Sequence, residues 1–422
     1  MSRSRTAFLI FFLLITTLPS TLPICAQQKT PAKPKVRALT AFVKVDREHF
    51  PQQIAATLKM LRSAKAAIEQ GGYEVQTIRI TTQPFPEYIR GLSREEAVAF
   101  FRDYDALAVK ENFNANIGPA MLRDADDPSP AELLGVVLAS AKALNGSLNI
   151  AGEDGIHWNA VRAAARLIKY LEEHSARSQG NFNFGAAALV EPYGPFFPAS
   201  YHTGEGHQFA IGLESANVVD QVFDQVFAAT PNQPALALAS LTRELDVHDR
   251  AVEAIALRLE KETGWTYLGI DPTPAPLKDV SIGAAMEKFT GARFGSSGTL
   301  TAAAVITQAV KSVHVKRTGY SGLMLPVLED SIIAQRWSEG SLTIDALLAY
   351  SAVCATGLDT VPLPGDVSVE QLEKILGDLA SLAVKWHKPL TARLLPVAGK
   401  KAGQRTEFES PFLTNATIQP LP

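Results

Sequence analysis

Helical and strand-like patterns alternate along almost the whole chain, and this alternation limits the fold more than any other feature. Residues 51–70 carry apolar side chains at helical spacing and end at a Gly-Gly pair, and the strand-like segment Val75–Ile80 follows. Ser93 and Glu96 have the spacing of a capping box at the start of another helix. Further helices are predicted at His157–Ser178, Pro234–Glu262, Thr299–Val313, Thr343–Thr356 and Val369–Trp386, and further strands at Phe182–Val190, Phe209–Leu213, Tyr267–Ile270 and Leu323–Leu328. The pattern predicts an α/β fold, a sheet or barrel with helices outside and ligand-binding loops at the strand ends.

The first 26 residues have the pattern of a secretory signal peptide. Arg3 and Arg5 precede the apolar run Ala7–Leu18, and a small residue, Ala26, stands where cleavage is expected. We therefore expect an exported protein, periplasmic or secreted, whose mature form is not held in a membrane. Two alternatives stay open, namely an uncleaved anchor and a lipid attached to Cys25.

The remaining chain is predicted to form one domain. Residues 27–40 are polar and contain prolines, which is typical of a flexible linker. Residues 41–403 are expected to form a single α/β barrel domain, and residues 404–422 a loosely docked tail. The tail is assigned because helical and strand periodicity is lost there.

Composition excludes several classes of protein. The formal net charge of −3 gives no basic surface for nucleic acid or anionic lipid. Cleavage after Ala26 would leave Cys354 as the sole cysteine, which excludes an internal disulfide and a zinc site built on several cysteines. Stability must then come from the apolar core. The long helices with apolar faces leave a homo-oligomer open.

The loop after residue 196 offers the first candidate site. It contains His202, Glu205 and His207, and glycines between them allow a tight turn that would bring the side chains together. Two imidazoles and a carboxylate suit acid–base catalysis or a divalent metal, with His202 and His207 as the ligands. The alternative is a loop in which the histidines bond to the backbone.

A second candidate precedes the helix predicted from Thr299. The hydroxyls of Ser296, Ser297 and Thr299 stand beside free backbone N–H groups, and together they suit an anionic ligand. The alternative is an ordinary N-cap by Ser297 or Thr299.

Three acidic residues are expected at strand ends. Asp271 closes a predicted strand, and Glu329 and Asp330 follow another. Each suits a general base or a metal ligand. The alternatives are a turn cap for Asp271 and a favourable contact with a helix dipole for Glu329 and Asp330.

The segment from Cys354 to Asp366 supplies the last candidates. Asp359 and Asp366 flank a stiff Pro-x-Pro sequence that would hold a carboxylate in place. Cys354 lies near the C-terminal end of a predicted helix, where the negative dipole end disfavours a thiolate. We therefore interpret Cys354 as a buried, unreactive thiol.

Several long blocks of sequence resemble one family. The blocks are VQTIRITTQPF (75–85), FFPASYH (196–202), FAIGLESAN (209–217), FGSSGTLTAA (294–303), GYSGLMLPVLED (319–330) and YSAVCATGLDTVPLPGD (350–366). In this order they resemble the domain-of-unknown-function family 711, an uncharacterised UPF-type family, from about residue 43 to 397. Members have no established activity. The resemblance implies a β/α barrel with the fold of the pyruvate formate-lyase-like glycyl radical enzymes.

The fold resemblance does not bring the radical chemistry with it. A glycyl radical enzyme needs a glycine in a conserved motif near its C-terminus and a cysteine in the barrel. Arg317, Thr318, Gly319 and Tyr320 look similar to that motif, but they lie far from the end and before Cys354. No active glycyl radical is expected.

Two functions remain open at this point. The first is an enzyme of hydrolase or lyase type that acts on a small polar or anionic molecule, with acid–base groups from all the candidate loops and with or without a divalent metal. The second is a non-catalytic protein that binds a small molecule outside the cytoplasm. The first predicts that the candidate residues meet in one pocket.

Overall fold

The strands of this protein form one mixed sheet, and the helices cover one of its faces. The computed structural model describes residues 32–230 and 233–421, so the predicted leader and Cys25 lie outside the described residues. The strands are β1 (Lys35–Phe42), β2 (Ile78–Thr81), β3 (Asn114–Pro119), β4 (Leu144–Gly152), β5 (Gly155–Ile156), β6 (Phe184–Ala188), β7 (Gln208–Glu214), β8 (Thr266–Asp271), β9 (Gly357–Pro364) and β10 (Leu390–Val397).

The helices occupy most of the connections between these strands. They are α1 (Phe50–Gln70), α2 (Phe85–Ile89), α3 (Arg94–Glu111), α4 (Ser129–Ser140), α5 (Trp158–His174), α6 (Ala216–Ala229), α7 (Pro234–Thr263), α8 (Ile282–Thr290), α9 (Thr299–Lys311), α10 (Ser331–Ser338), α11 (Ile344–Ser351) and α12 (Val369–Trp386), with a 3-10 helix at Ala176–Asn183. None of the helices in the described ranges has both the length and the apolar character needed to cross a bilayer.

The sheet consists of two sets of parallel strands. The strand order is β8-β7-β1-β2-β3-β4-β6-β10-β9, and β5 forms a hairpin with β4. Strands β1, β2, β3, β4 and β6 run parallel to one another. The pairs β7·β8 and β9·β10 run the other way, and they join the first set through antiparallel pairing of β7 with β1 and of β10 with β6.

Side chains alternate along these strands between an apolar face and a polar face. Ile80 on β2 and Ile117 on β3 belong to the hydrophobic core that the helices cover. Their neighbours Arg79 and Asn116 lie on the opposite face, which therefore carries polar groups. Because successive side chains in a strand point to opposite sides, one strand can serve both environments.

The sheet is strongly curved. Arg37 on β1 and Arg393 on β10 are five strand positions apart, which would be about 24 Å on a flat sheet. Both guanidinium groups nevertheless bond to the same carboxylate, that of Glu329. The polar face is therefore concave.

One irregular segment contacts both edges of the sheet. Residues 317–330 form a parallel bridge to β8 at Ile270↔Arg317 and another to β9 at Pro326↔Asp359. The predicted α/β fold with helices around the sheet is thus confirmed. A closed barrel stays a prediction, because single bridges rather than ladders connect the two edges.

A second segment, residues 193–202, crosses the concave polar face. The Thr40 hydroxyl donates to Pro195 O at 2.8 Å, the Asn116 side-chain amide donates to Pro198 O, and the hydroxyls of Thr81 and Ser200 lie 3.2 Å apart. A Cβ on Gly185 would lie 2.8 Å from Pro198 Cγ, so glycine is what lets the segment approach β6. The polar side chains of the sheet are therefore partly used to hold this segment.

Several predicted elements agree closely with the structure. Helix α12 has the predicted bounds, and α7 and α9 begin at the predicted residues. The capping box of α3 is present, with Ser93 accepting from the N–H of Glu96 and Glu96 accepting from the N–H of Ser93. Strong apolar periodicity and specific capping residues made these elements predictable.

Other predictions about the chain are wrong. The linker expected at 27–40 overlaps β1, which lies inside the sheet between β2 and β7. Leu323–Leu328 is not a strand, whereas the segment interpreted as a Pro-x-Pro loop is strand β9, buried along its length. Residues 404–421 have no helix or strand, yet Phe408, Leu413, Ala416 and Ile418 are buried.

Helix α7 contains a carboxyl group that is completely buried without a hydrogen bond. Asp249 is 0% exposed, and neither of its oxygens has a partner among the described residues. Burial raises the pKa of Asp249 well above its usual value, and the nearby Asp246 and Glu253 raise it further. The neutral carboxylic acid is therefore the form that the fold accommodates.

This burial gives a pH-dependent prediction. Because the pKa of Asp249 is higher in the folded state than in the unfolded chain, the folded protein is most stable, as far as this group is concerned, below pH 3.8, where the carboxyl is protonated in both states. This contribution to stability is lost as the pH rises from 3.8 through the folded-state pKa. Asp249→Asn, which is neutral at every pH, should therefore be more stable than the parent at pH 7.5. The difference should shrink by up to about 1.4 kcal/mol per pH unit as the pH is lowered to 4.5.

Denaturant unfolding at both pH values measures this difference. Asp103→Asn, at an exposed aspartate of α3, is the matched control and should change the free energy of unfolding little at either pH. An Asp249→Asn effect that is the same at both pH values would show that the carboxyl is not held neutral.

Candidate functional site

The concave face of the sheet contains a pocket between the two irregular segments. The pocket has a volume of about 100 Å³. Since a cavity needs roughly 10–15 Å³ to hold one water molecule, the space admits several waters or a small organic molecule. Its polar wall comes from Arg37, Arg79, Asn114, Asn145, Thr391 and Arg393, which stand on five different strands.

Glu329 is the centre of a buried ion-pair network in this pocket. Its Oε2 lies 3.1 Å from Arg37 Nη2, and its Oε1 bonds to Arg393 Nη2. Its side chain is only 8% exposed. Two guanidinium groups thus compensate one carboxylate, and Glu214 adds a second, longer contact to Arg37 at 3.4 Å.

Asp359 extends the network on the other side of Arg393. The Nε of Arg393 lies 2.5 Å from Asp359 Oδ1. Burial raises the pKa of Asp359, and the ion pair with Arg393 opposes that rise. Burial alone would lower the pKa of Arg393, but Asp359 and Glu329 overcome this effect and raise it. Arg393 therefore stays charged.

Arg79 differs from the other two arginines because no carboxylate of residues 32–230 or 233–421 bonds to it. Its only hydrogen bond within the described part of the chain runs from Nε to Thr77 Oγ1, at 3.0 Å. Its guanidinium also lies over the ring of Phe197, 5.0 Å from the centroid. Burial, together with the like charges of Arg37 and Arg393, lowers the pKa of Arg79 to about 9, and the charge of Glu329 only partly opposes this. The side chain remains cationic at neutral pH, and no carboxylate in the described part of the chain bonds to it.

The rest of the pocket wall is apolar and aromatic. Phe196, Ala275 and Met324 form a small cluster separate from the main core, and Tyr320 packs against it. Phe412, from the C-terminal segment, faces Arg37 with the guanidinium carbon 5.3 Å from its ring centroid. The pocket thus joins charged groups to a surface that suits carbon atoms.

Asp271, a predicted catalytic residue, lies behind the pocket wall. It is completely buried and accepts hydrogen bonds from the N–H groups of Tyr320 at 2.7 Å and Ser321 at 3.1 Å. It also accepts from the hydroxyl and N–H of Thr273. Burial raises the pKa of Asp271 to about 6 against the effect of these bonds. Its contacts are those of the turn cap considered as the alternative.

Asp330 and Glu329 are neighbours with different surroundings. Asp330 is the N-cap of α10 and also accepts from Ser281 Oγ at 2.6 Å and Ile282 N at 2.7 Å, at the start of α8. It therefore joins the N-termini of two helices, where a carboxylate is favourable. Of the two acids, only Glu329 lines the pocket.

The histidine loop does not form a cluster. His202 is buried, and its Nε2 lies 3.1 Å from Gln208 Oε1. Glu205 and His207 are exposed, and His207 stacks on Trp265 with ring centroids 4.9 Å apart. Among the residues that the structure describes, no group of three or more His, Cys, Asp and Glu side chains could hold a metal ion. The expected metal site at His202 and His207 thus has no support in the geometry.

The remaining candidates lie outside the pocket. Ser296 and Ser297 are exposed, and Thr299 Oγ1 accepts from Gly295 N at 3.0 Å. The N-cap of α9 is Gly298, so the expected cap by Ser297 or Thr299 is wrong. Asp366 is exposed. Of the eight predicted acid–base residues, the structure therefore brings only Glu329 and Asp359 into the pocket.

Cys354 is a buried thiol, as expected. The side chain is 1% exposed, and Lys388 Nζ donates to the carbonyls of Cys354 and Ser351 at the end of α11. A lysine at this position compensates the carbonyl groups that a helix C-terminus leaves free.

The three arginines are the residues that sequence reasoning missed. Their signal is the alternation of polar and apolar residues inside strands, as in Arg79 between Ile78 and Ile80. The same alternation places Arg393 on β10 and Asn145 on β4. A polar residue at every second strand position usually faces solvent, and here it faces an enclosed concave surface.

Comparison with known proteins identifies relatives over most of the chain. The sequence profile of the family described as "Uncharacterised ACR (DUF711)" matches residues 30–409. A UPF0210 protein of Pyrobaculum islandicum is 32% identical over 82% of this chain and 79% of its own length. A UPF0210 protein of Methanocaldococcus jannaschii is 26% identical over 83% of this chain and 80% of its own length. One from Listeria monocytogenes is 27% identical over 89% and 86%.

These findings confirm the family resemblance and correct the expected function. The relatives are archaeal and bacterial proteins named only as UPF0210 proteins, and nothing in these names or in the family description indicates export. The description of the chain as an exported enzyme or an exported binding protein is therefore wrong as a functional assignment. The likeness to glycyl radical enzymes stays a prediction.

The Glu329 network gives a prediction about stability. Glu329→Gln removes the charge that Arg37 and Arg393 share and leaves two buried cations close together. We expect the free energy of unfolding to fall by about 3–5 kcal/mol, because breaking a buried ion pair leaves uncompensated charge. Denaturant unfolding provides the measurement.

A surface pair provides the control for this experiment. Glu111→Gln breaks the exposed pair with Arg62, which spans 3.0 Å, and should change the free energy of unfolding by only about 0–1 kcal/mol. Equal losses in the two variants would mean that Glu329 does not hold the two arginines together.

Proposed function

The chain belongs to the uncharacterised family DUF711, and we propose that its concave pocket binds a small organic oxyanion, a carboxylate or a phosphate ester, through Arg79. The observation that carries this proposal is the absence of any carboxylate partner for Arg79 within the described residues. Arg79 is half-buried at the pocket wall, where a bonded anion would gain more from its charge than in bulk water, and an anionic ligand would supply that partner.

The charge of the pocket supports the same conclusion. Its lining carries three guanidinium groups and two carboxylates, and Glu214 adds a third carboxylate beside Arg37. Arg37 and Arg393 are already paired with Glu329, and Arg393 also with Asp359. Among the described residues, Arg79 is therefore the pocket guanidinium without a bonded carboxylate, and a guanidinium can bond an oxyanion in a bidentate manner.

The apolar wall favours an organic anion over a bare inorganic one. Phe196, Ala275 and Met324 offer a surface where a short carbon chain would be removed from water. The pocket volume of about 100 Å³ limits the ligand to a small molecule. Ligand pockets commonly combine such a surface with a few polar anchors.

Arg79→Gln tests this proposal directly. The substitution removes the charge and keeps a polar side chain, so it should weaken binding of an oxyanion about 10- to 100-fold, the effect of losing a charge-assisted hydrogen bond. The full-length protein is titrated calorimetrically with butanoate, butyl phosphate and inorganic phosphate. The first two distinguish a carboxylate from a phosphate ester, and the third tests the need for carbon atoms.

The stability of the same variant provides a second measurement. No carboxylate of the described residues bonds to Arg79, and the repulsion by Arg37 and Arg393 is only partly offset by Glu329, so Arg79→Gln should leave Tm unchanged or raise it. Arg62→Gln removes an equal charge from the surface and should not alter ligand affinity. The proposal fails if no oxyanion binds the parent protein, or if Arg79→Gln binds the ligand as tightly as the parent does.

A further inference from the structure

We infer that the ligand of this pocket carries a hydroxyl group in addition to its oxyanion, and that Thr356 is the residue that recognises it. The inference rests on the proposed function, because it names the class of ligand for the same pocket. The class is short hydroxy acids and their phosphate counterparts. The observation behind it is independent of Arg79 and concerns the far wall of the pocket.

Thr356 presents a hydroxyl to which no described residue of the protein is hydrogen-bonded. The residue is only 3% exposed, and its Oγ1 has no hydrogen-bond partner among the described residues. Other buried polar atoms in the described chain also lack partners, but of these residues only Thr356 lines the pocket. Buried hydroxyl groups are almost always hydrogen-bonded, so an unpaired one at a pocket wall indicates a bond to the guest.

The neighbouring hydroxyl groups of the wall are already paired. Tyr320 OH and Thr391 Oγ1 lie 2.6 Å apart. Thr77 Oγ1 donates to Arg37 O and accepts from Arg79 Nε. Among these hydroxyl groups of the wall, that of Thr356 is therefore the one that can still both donate and accept a hydrogen bond.

The backbone holds Thr356 rigidly at this position. Its carbonyl accepts from Thr391 N at 2.8 Å, where β9 begins to pair with β10. The next residue, Gly357, has a φ of +88°, and a Cβ there would lie 2.7 Å from Thr391 O. A glycine is therefore required for the close approach that sets the place of Thr356.

The two anchors stand on different parts of the curved sheet. Arg79 is on β2, and Thr356 directly precedes β9, which is five strand positions away. Both line the same pocket, so one small molecule can contact both. A site that is built to bond a hydroxyl group discriminates against an analogue that lacks it, because the protein hydroxyl is then left unpaired.

The experiment compares acids that differ only in the hydroxyl group. Butanoate, 2-hydroxybutanoate, 3-hydroxybutanoate and 4-hydroxybutanoate are titrated into the full-length parent, Thr356→Val and Thr356→Ser. At least one hydroxy acid should bind the parent about 10-fold tighter than butanoate does. Thr356→Val, which has the same shape without the hydroxyl, should abolish this preference and should bind butanoate no more weakly than the parent does, because no protein hydroxyl is left unpaired.

The controls separate recognition from a structural role. Thr356→Ser keeps the hydroxyl and should restore the preference. Thr356→Val should keep the Tm of the parent or raise it, since it removes an unpaired buried hydroxyl. A loss of affinity for butanoate and the hydroxy acids alike in Thr356→Val would assign Thr356 a structural role and overturn the inference.

The remaining outcomes distinguish this inference from the proposed function. If butanoate and all three hydroxybutanoates bind the parent with the same Kd, the oxyanion site stands and the role of Thr356 is refuted. If none of these acids and no butyl phosphate bind, the oxyanion site fails and the inference fails with it. A preference retained by Thr356→Val would assign the hydroxyl to another residue and would also refute the inference.

Discussion

The concave face depends on the ion pairs that the carboxylate of Glu329 forms with two arginines. Glu329 lies on an irregular segment and bonds to Arg37 on one side of the sheet and Arg393 on the other. Without this shared negative charge, two buried cations would repel each other across the space that the curvature creates. The same segment contacts both edge strands through single bridges. Charge compensation and sheet curvature are therefore linked in one short stretch of chain.

The network also explains why the three arginines have different roles. Arg37 and Arg393 are held by carboxylates, whereas Arg79, among the residues that the structure describes, bonds to Thr77 and lies over the ring of Phe197. A guanidinium that is already paired holds neighbouring side chains in place and contributes to the electrostatic field of the pocket. An unpaired guanidinium attracts a counter-charge. The apolar cluster beside it and the free hydroxyl of Thr356 define the other requirements for a guest.

The sequence allowed the α/β class, the long helices and two pocket carboxylates to be predicted. Helix α12 was predictable because an apolar stripe and a capping box coincide, whereas β1 was mistaken for a linker because prolines and lysines precede it. Asp359 was selected for a stiff loop, but its segment is an edge strand whose prolines lack the N–H that a central strand would need. Arg79 was missed because the sequence does not show which carboxylates lie near it in space. Its significance is that none of the described ones bonds to it.

The path of residues 193–202 has a consequence for how the molecule assembles. Thr40, Thr81 and Asn116 stand on the first three strands, yet their partners are Pro195, Ser200 and Pro198, more than 80 residues later in the chain. In an early sheet of those strands alone, these polar groups would bond to water instead of to their partners in the folded chain. Its completion must wait for a distant part of the polypeptide, which is the arrangement that slows folding in proteins rich in non-local contacts. The polar face of strands β1 to β3 therefore stays exposed to solvent until residues 193–202 pack against it.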